Sequence, residues 1–356
     1  MSLTRRGRTF IGLLALILLA SGVVLTVSFI GGRSKGSPLG GPSSSASGPG
    51  SVPTTEPPPS VCPLTGATVD ELPDRPALAV KVENLPASRP QTGLGSADVV
   101  FEEPVEGGIT RFIVVYQCRD ADRIEPIRSA RFTDASVLVQ FGQPLFAYAG
   151  GVPKVVTRVR EAGLLDINYN TKAGAAAYHR DLDREAPHNL YSSTDELYAA
   201  GESLTTAGPP GPVFTYTSGK VKGKLVNQIH VPFSSSSDVY WKWSSAKKAW
   251  LRFHGDVPHV SSNGAQFQAI NVIVQIVKIT MTDVTDANGV HSPEVVATGT
   301  GKAYVLRKGK LVVGTWSRPT LADVTRYFDS KGKEIPLAPG NTWVELLPNG
   351  IPVSYS

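Results

Sequence analysis

Several familiar signatures are missing from this chain, and each absence removes a class of function. Charged residues make up only 18% of its 356 positions, and it holds 2 Cys. Gly150-Gly151 is not followed by the Lys-Ser/Thr of a phosphate-binding P-loop, so nucleotide binding has no support. Ser129 lacks the strand–G-x-S-x-G setting of a hydrolase nucleophile. No cysteine closely follows the N-terminal apolar run, the first being Cys62, which argues against a lipid-modified cysteine. The net charge of +5 is also uneven: Arg5, Arg6, Arg8, Arg33 and Lys35 against Glu56 leave only +1 for residues 61–356. A nucleic-acid footprint needs a basic domain face, and bulk charge provides none, so no nucleic-acid partner is expected. No internal repeat stands out.

What is present begins with an uncharged run over 10–30, preceded by three arginines. At about 1.5 Å per residue such a run spans the roughly 30 Å hydrocarbon core. The positive-inside rule then keeps the N-terminus cytoplasmic and exports the rest. Residues 1–30 are thus expected to be a single transmembrane signal-anchor, with a cleaved signal peptide as the alternative. Residues 31–60 contain 7 Gly, 8 Ser and 7 Pro, too polar and flexible for a core, and read as a disordered tether. In an exported chain a Cys62–Cys118 disulfide is plausible, the alternative being two separate thiols.

The remainder reads as α+β: a mixed N-terminal domain over 61–206, then a mostly antiparallel β domain over 213–356. Strand character runs through 77–83, 97–105, 109–117 and 145–149. Gly107-Gly108 between two of these is a hairpin signal. Helices are expected at 132–141, at 153–162 ending in Gly163, and at 194–200 with Thr194 as N-cap and Gly201 as a left-handed cap. The AGPPGP run at 207–212 breaks regular structure. Beyond it, 238–243, 250–253, 271–282, 302–306, 311–316 and 343–346 are rich in β-branched and aromatic residues.

Five groups of residues raise a functional reading. Arg111, Arg128 and Arg131 fall within 21 residues, in segments that otherwise read as buried. Arginine keeps its charge and is rarely buried without an anion. The cluster, with Ser129 and Glu106, either binds a phosphate or carboxylate or is paired internally with Asp98, Glu102, Glu103 or Glu106. His188, Asn189 and Tyr191 lie in a proline-fixed loop, where His188 is a general acid or base or a hydrogen-bonded anchor. Gly150 and Gly151 mark either a close backbone approach to a ligand or a tight turn. His254, Asp256 and His259 lack a fourth metal ligand, and no metal is expected. Trp241, Trp243 and Trp250 are sugar-stacking faces or, more commonly, core.

The run RPALAVKVENLPASRPQTGLGSADVVFEEPVEGGITRF, continued by IEPIRSAR and APHNLYSS, resembles the N-terminal signature of the YerB-like bacterial lipoprotein family. INVIVQ, TGTGKAYVLRKGK, GTWSRP and PGNTWVELLP resemble its C-terminal domain, so the likeness runs over about 63–350. The resemblance implies an exported, membrane-associated, two-domain protein with no assigned catalytic residues. Family members are typically lipid-anchored, whereas here an apolar span and a long tether come first.

Together these features point to a membrane-anchored extracytoplasmic protein that binds an anionic envelope ligand through its arginines, with no cofactor called for. An enzyme acting on phosphorylated or glycan envelope substrates is the alternative, as is an assembly protein docking partners through the β domain.

Overall fold

The computed structural model describes residues 60–286 and 289–356. The expected transmembrane run and all but the last residue of the tether lie outside these. Among the described residues no helix is long and apolar enough to cross a membrane.

In chain order the principal elements begin with strands β1 (Leu78–Glu83), β2 (Val99–Pro104) and β3 (Thr110–Tyr116). Helix α1 (Phe132–Leu138), strand β4 (Leu145–Ala147), helix α2 (Pro153–Glu161), strand β5 (Leu165–Asp166) and helix α3 (Thr194–Gly201) follow. The second half is strands: β6 (Gln228–Ser234), β7 (Ser237–Ser244), β8 (Ala249–His254), β9 (Asn271–Val277), β10 (Ile279–Thr285) and β11 (His291–Val295). Last come β12 (Gly299–Arg307), β13 (Lys310–Arg318), β14 (Arg326–Asp329) and β15 (Thr342–Pro348).

One 11-stranded sheet runs through both halves. Its central order is β13-β12-β9-β15-β2-β3-β1-β4-β5. The seam between halves is β15, which lies parallel to both β9 and β2, with Glu345 opposite Glu102. Strand β1 is buried along its whole length because both faces of the sheet are covered. On one face Ala79, Phe101, Ile113 and Val115 pack with Val137 and Leu138 of α1 and Val155 and Val159 of α2. On the other, Val80, Val82, Val100 and Phe112 pack with Trp241 and Trp250 of a six-stranded sheet built around β6, β7 and β8.

Most local expectations hold. Strands β2 and β3 form an antiparallel hairpin over Gly107 and Gly108, at φ +68° and +71°. Cys62 and Cys118 are bonded, with Cα atoms 6.0 Å apart. The β half is mostly antiparallel, as expected, with β15 running parallel to β9 as the exception. Others need correction. The expected strand over 271–282 breaks between β9 and β10, the latter joining a ribbon with β11. Helix α3 is capped by Ser193, whose hydroxyl accepts from the Glu196 amide, while the Thr194 hydroxyl takes the Ala121 amide. Gly201 ends α3 at an ordinary right-handed φ of −89°. It is glycine because a Cβ there would come within 2.3 Å of Leu145.

Candidate functional site

The three arginines converge at one end of strands β1, β2 and β3. Register places Arg111 between Glu83 of β1 and Glu103 of β2. The segment 127–130 then threads along the same end, its Arg128 amide on the Lys81 carbonyl at 2.9 Å and its Ala130 amide on the Gly150 carbonyl at 3.0 Å. This irregular strand carries Arg128, Ser129 and Arg131 to Arg111.

Two of the three charges are answered from within. Arg128 donates from Nε to Glu83 at 2.9 Å. Arg131 grips Glu106 through Nε, at 2.7 and 2.9 Å, and through Nη2 at 2.6 Å. Burial alone would raise the Glu106 carboxyl, but Arg131 and the Ser292 hydroxyl outweigh it and hold it at about 2. Arg128 and Arg131 are therefore structural pairs before they are ligand groups, which for these two is the internal-pairing alternative.

Arg111 is the exception. Its Nη1 donates to the Ser129 carbonyl at 2.7 Å, its Nε is buried without a partner, and it meets no carboxylate among the described residues. Burial first, then the charges of Arg131 and Arg128, pull its guanidinium down to about 9. Glu103, its neighbour in register, belongs instead to a fully buried trio with Lys81 and Asp134, Lys81 lying 2.6 Å from Asp134. Burial pushes Glu103 up to about 7, Lys81 offsetting part of that rise. Of the four acids considered from sequence, Glu106 alone joins the cluster. Asp98 caps the Gln117 and Cys118 amides at 2.7 and 2.9 Å, and Glu102 points to the opposite face.

The loop residues divide. His188 joins the cluster indirectly, its Nδ1 2.7 Å from Glu83, so that one buried carboxylate holds both His188 and Arg128. Asn189 instead anchors its own loop, accepting from Arg180 at 2.8 Å and donating to the Asp181 carbonyl at 2.9 Å. The Tyr191 ring lies 3.7 Å beneath Arg123. Neither Asn189 nor Tyr191 shapes the arginine site. Gly150, at φ +67°, makes the turn before α2, and a Cβ there would be 2.7 Å from Asn170. Gly151 does reach the site. With Ser129, Arg131, Glu106, Val284 and Ser292 it lines a cleft of 390 Å³. His188 opens instead on a larger cleft of 860 Å³.

A second polar cluster, on the other face of the sheet, was not foreseen. Arg252 of β8 is fully buried against Glu102, with its Nη1 2.6 Å from His259 Nδ1 and 3.0 Å from His254 Nε2. Both rings accept from a cation and are held neutral, by burial first and then by Arg252, which is no setting for a metal. Trp241 and Trp250 are fully buried, so they are core and offer no sugar platform. The sequence signal for these clusters was faint but present: Lys81, Glu83 and Arg252 are charges set inside otherwise apolar strands.

Comparison with known proteins agrees with this architecture. Residues 64–207 match the family described as protein of unknown function (DUF3048), N-terminal domain, and residues 229–344 match its C-terminal domain. The chain is 24% identical over 291 residues to a Bacillus subtilis (strain 168) protein named "Putative lipoprotein YerB", covering 81% of this chain and 86% of that one. The crystal structure of the YerB protein from Bacillus subtilis superposes with a TM-score of 0.73 at 23% identity, over 83% of this chain and 99% of that chain.

Proposed function

The chain belongs to the YerB-like two-domain family, and from that premise we propose that it is a membrane-anchored extracytoplasmic protein binding an anionic, phosphate- or carboxylate-bearing envelope ligand at its arginine cluster. The observation that carries this is Arg111: a buried guanidinium with an unpartnered Nε, crowded by two further arginines whose acids are already engaged. An anion seated at Ser129 and Arg131, in the adjoining 390 Å³ cleft, would relieve that crowding. Anchoring rests on the apolar run at 10–30.

Replacing Arg111 by Gln separates a ligand group from a structural one. Because the charge is buried without a carboxylate, its removal should leave the ligand-free melting temperature unchanged or higher. The stabilisation of the full chain by added inorganic phosphate should disappear at the same time. A lower melting temperature with the phosphate effect intact would show that Arg111 serves the fold alone. The Glu83–His188 pair favours the enzyme as second reading, since a buried carboxylate fixing one ring nitrogen leaves the other available for proton transfer. Release of phosphate from a phosphorylated glycan, lost in His188→Gln, would establish it, and zero turnover would remove it.

A further inference from the structure

We propose that the 860 Å³ cleft is a separate binding site for a phosphate monoester carried on a neutral, sugar-sized body, with Arg89 as its anchor. It is a different cleft from the one beside the Arg111 cluster, linked to that cluster through Glu83, which holds His188 here and Arg128 there. Three arginines line it, and two are taken up by the protein. Arg123 lies 3.1 Å from Glu125 and pairs with Asp181, stacking on Tyr191 as well. Arg184 donates to the Ser88 and Pro90 carbonyls at 2.6 and 3.1 Å and lies 3.4 Å from Glu125. These contacts engage Asp181 and one oxygen of Glu125, whose Oε1 is buried without a partner, and Glu185, exposed at the surface, is the remaining acid of the wall.

Arg89 has no such partner. Its Nη2 donates to the Asn84 carbonyl at 3.0 Å and to Asn84 Oδ1 at 3.3 Å, its Nε is buried without a bond, and it meets no carboxylate among the described residues. Burial, then the charge of Arg252, pulls it down to about 10, which Glu102 offsets only in part. The rest of the wall supplies what a phosphate monoester needs. The Thr92 and Ser262 hydroxyls, 2.9 Å apart, can each turn to donate. His188 has Nδ1 committed to Glu83, leaving Nε2 as the ring nitrogen for a ligand. A terminal phosphate, with three acceptor oxygens and up to two charges, uses several convergent donors better than a carboxylate does. Pro90, Pro187, Ala87 and Ala186 give the cleft an apolar part, and its volume falls in the range of roughly 300–1,000 Å³ that holds small molecules rather than bare ions.

The test is calorimetric titration of the full chain, in detergent micelles, with glucose 1-phosphate and with glucose. Wild type should bind the ester and ignore the sugar. Arg89→Gln should weaken the ester by about tenfold or more, the loss expected for hydrogen bonds to a charged group. Since Arg89 also braces Asn84, a second variant, Ala87→Trp, fills the cleft from an exposed position with every charge kept, and should abolish binding. Since the arginine cluster can also take a phosphate, both cleft variants are read in the Arg111→Gln background, where the ester should still bind and each should remove that binding. Absence of ester binding in the Arg111→Gln single variant would overturn the proposal, as would binding there that survives both cleft variants.

Discussion

Glu102 and Glu345 face each other across strands β2 and β15, both fully buried, yet they should respond oppositely to replacement by glutamine. Glu102 is the acid that meets the cation: it receives Arg252, the Thr110 hydroxyl at 2.6 Å and the Asn84 amide at 3.0 Å. Glu345 receives the Trp241 indole at 2.7 Å on one oxygen and no donor on the other, its carboxyl lying against that of Glu102. Burial pushes Glu345 well above the usual carboxyl range, the charge on Glu102 adds to this, and Arg252 offsets only part. One cation thus serves one anion, and Glu345 is a neutral acid. Glu102→Gln strips Arg252 of its counter-charge and should cost about 3–5 kcal/mol, the penalty for breaking a buried ion pair from one side. Glu345→Gln replaces a neutral acid by a neutral amide of the same shape, so it should cost less than about 1 kcal/mol below the ordinary carboxyl range and should be the more stable protein by neutral pH. Because the folded-state value is raised, the Glu345 proton favours the native state fully below the ordinary carboxyl range, and that advantage is lost as pH rises through the folded value. Between those limits wild type should lose about 1.4 kcal/mol per pH unit relative to Glu345→Gln. Urea unfolding followed by tryptophan fluorescence at pH 5, 6, 7 and 8 reads both effects. Equal penalties for the two variants, or a wild-type-to-Glu345→Gln difference that ignores pH, would refute the assignment of the proton.

Two further outcomes follow from the fold. The disulfide joins residues 56 apart in sequence, and the chain-entropy relation assigns such a loop about 4 kcal/mol. Cys62→Ser combined with Cys118→Ser should therefore lower the urea-unfolding free energy by about that amount, and a loss below about 1 kcal/mol would show that the bridge adds little constraint. Gly314 of β13 lies so close to β14 that a Cβ would stand 1.9 Å from the Phe328 carbonyl oxygen. Gly314→Ala should cost about 1–3 kcal/mol by forcing the strands apart, and a variant as stable as wild type would mean that the strands part freely.

The charged clusters share one logic. Each acid at the strand ends is engaged by a cation, and cations outnumber the acids within reach of two particular guanidinium groups. Arg111 and Arg89 are left with carbonyl contacts and a buried, unpartnered Nε apiece. They lie beside different clefts, so anion binding at one can be tested without disturbing the other.

Local chemistry was open to reading in the sequence. Gly107-Gly108 supplied the positive φ of a hairpin, Pro153 and Gly163 bounded α2, and β-branched and aromatic residues marked β7, β8, β12 and β13, because turns, caps and strand preference depend on residues a few positions apart. The convergence of Arg111, Arg128 and Arg131 was legible for the same reason, since all three fall within one hairpin-and-loop unit. Which acid answers which cation was not. Glu83 meets Arg128 because the 127–130 segment bonds along β1, and Glu103 was claimed by Lys81 and Asp134. Glu102 was turned to the opposite face by the period-two geometry of β2, where β8 delivers Arg252 from 150 residues away. Sequence by itself determined the elements, the disulfide candidates and the presence of surplus guanidinium charge. Only the tertiary structure decided where that surplus is left, because pairing among buried charges is fixed by contacts between strands far apart along the chain, and β15 brings the two halves into a single sheet.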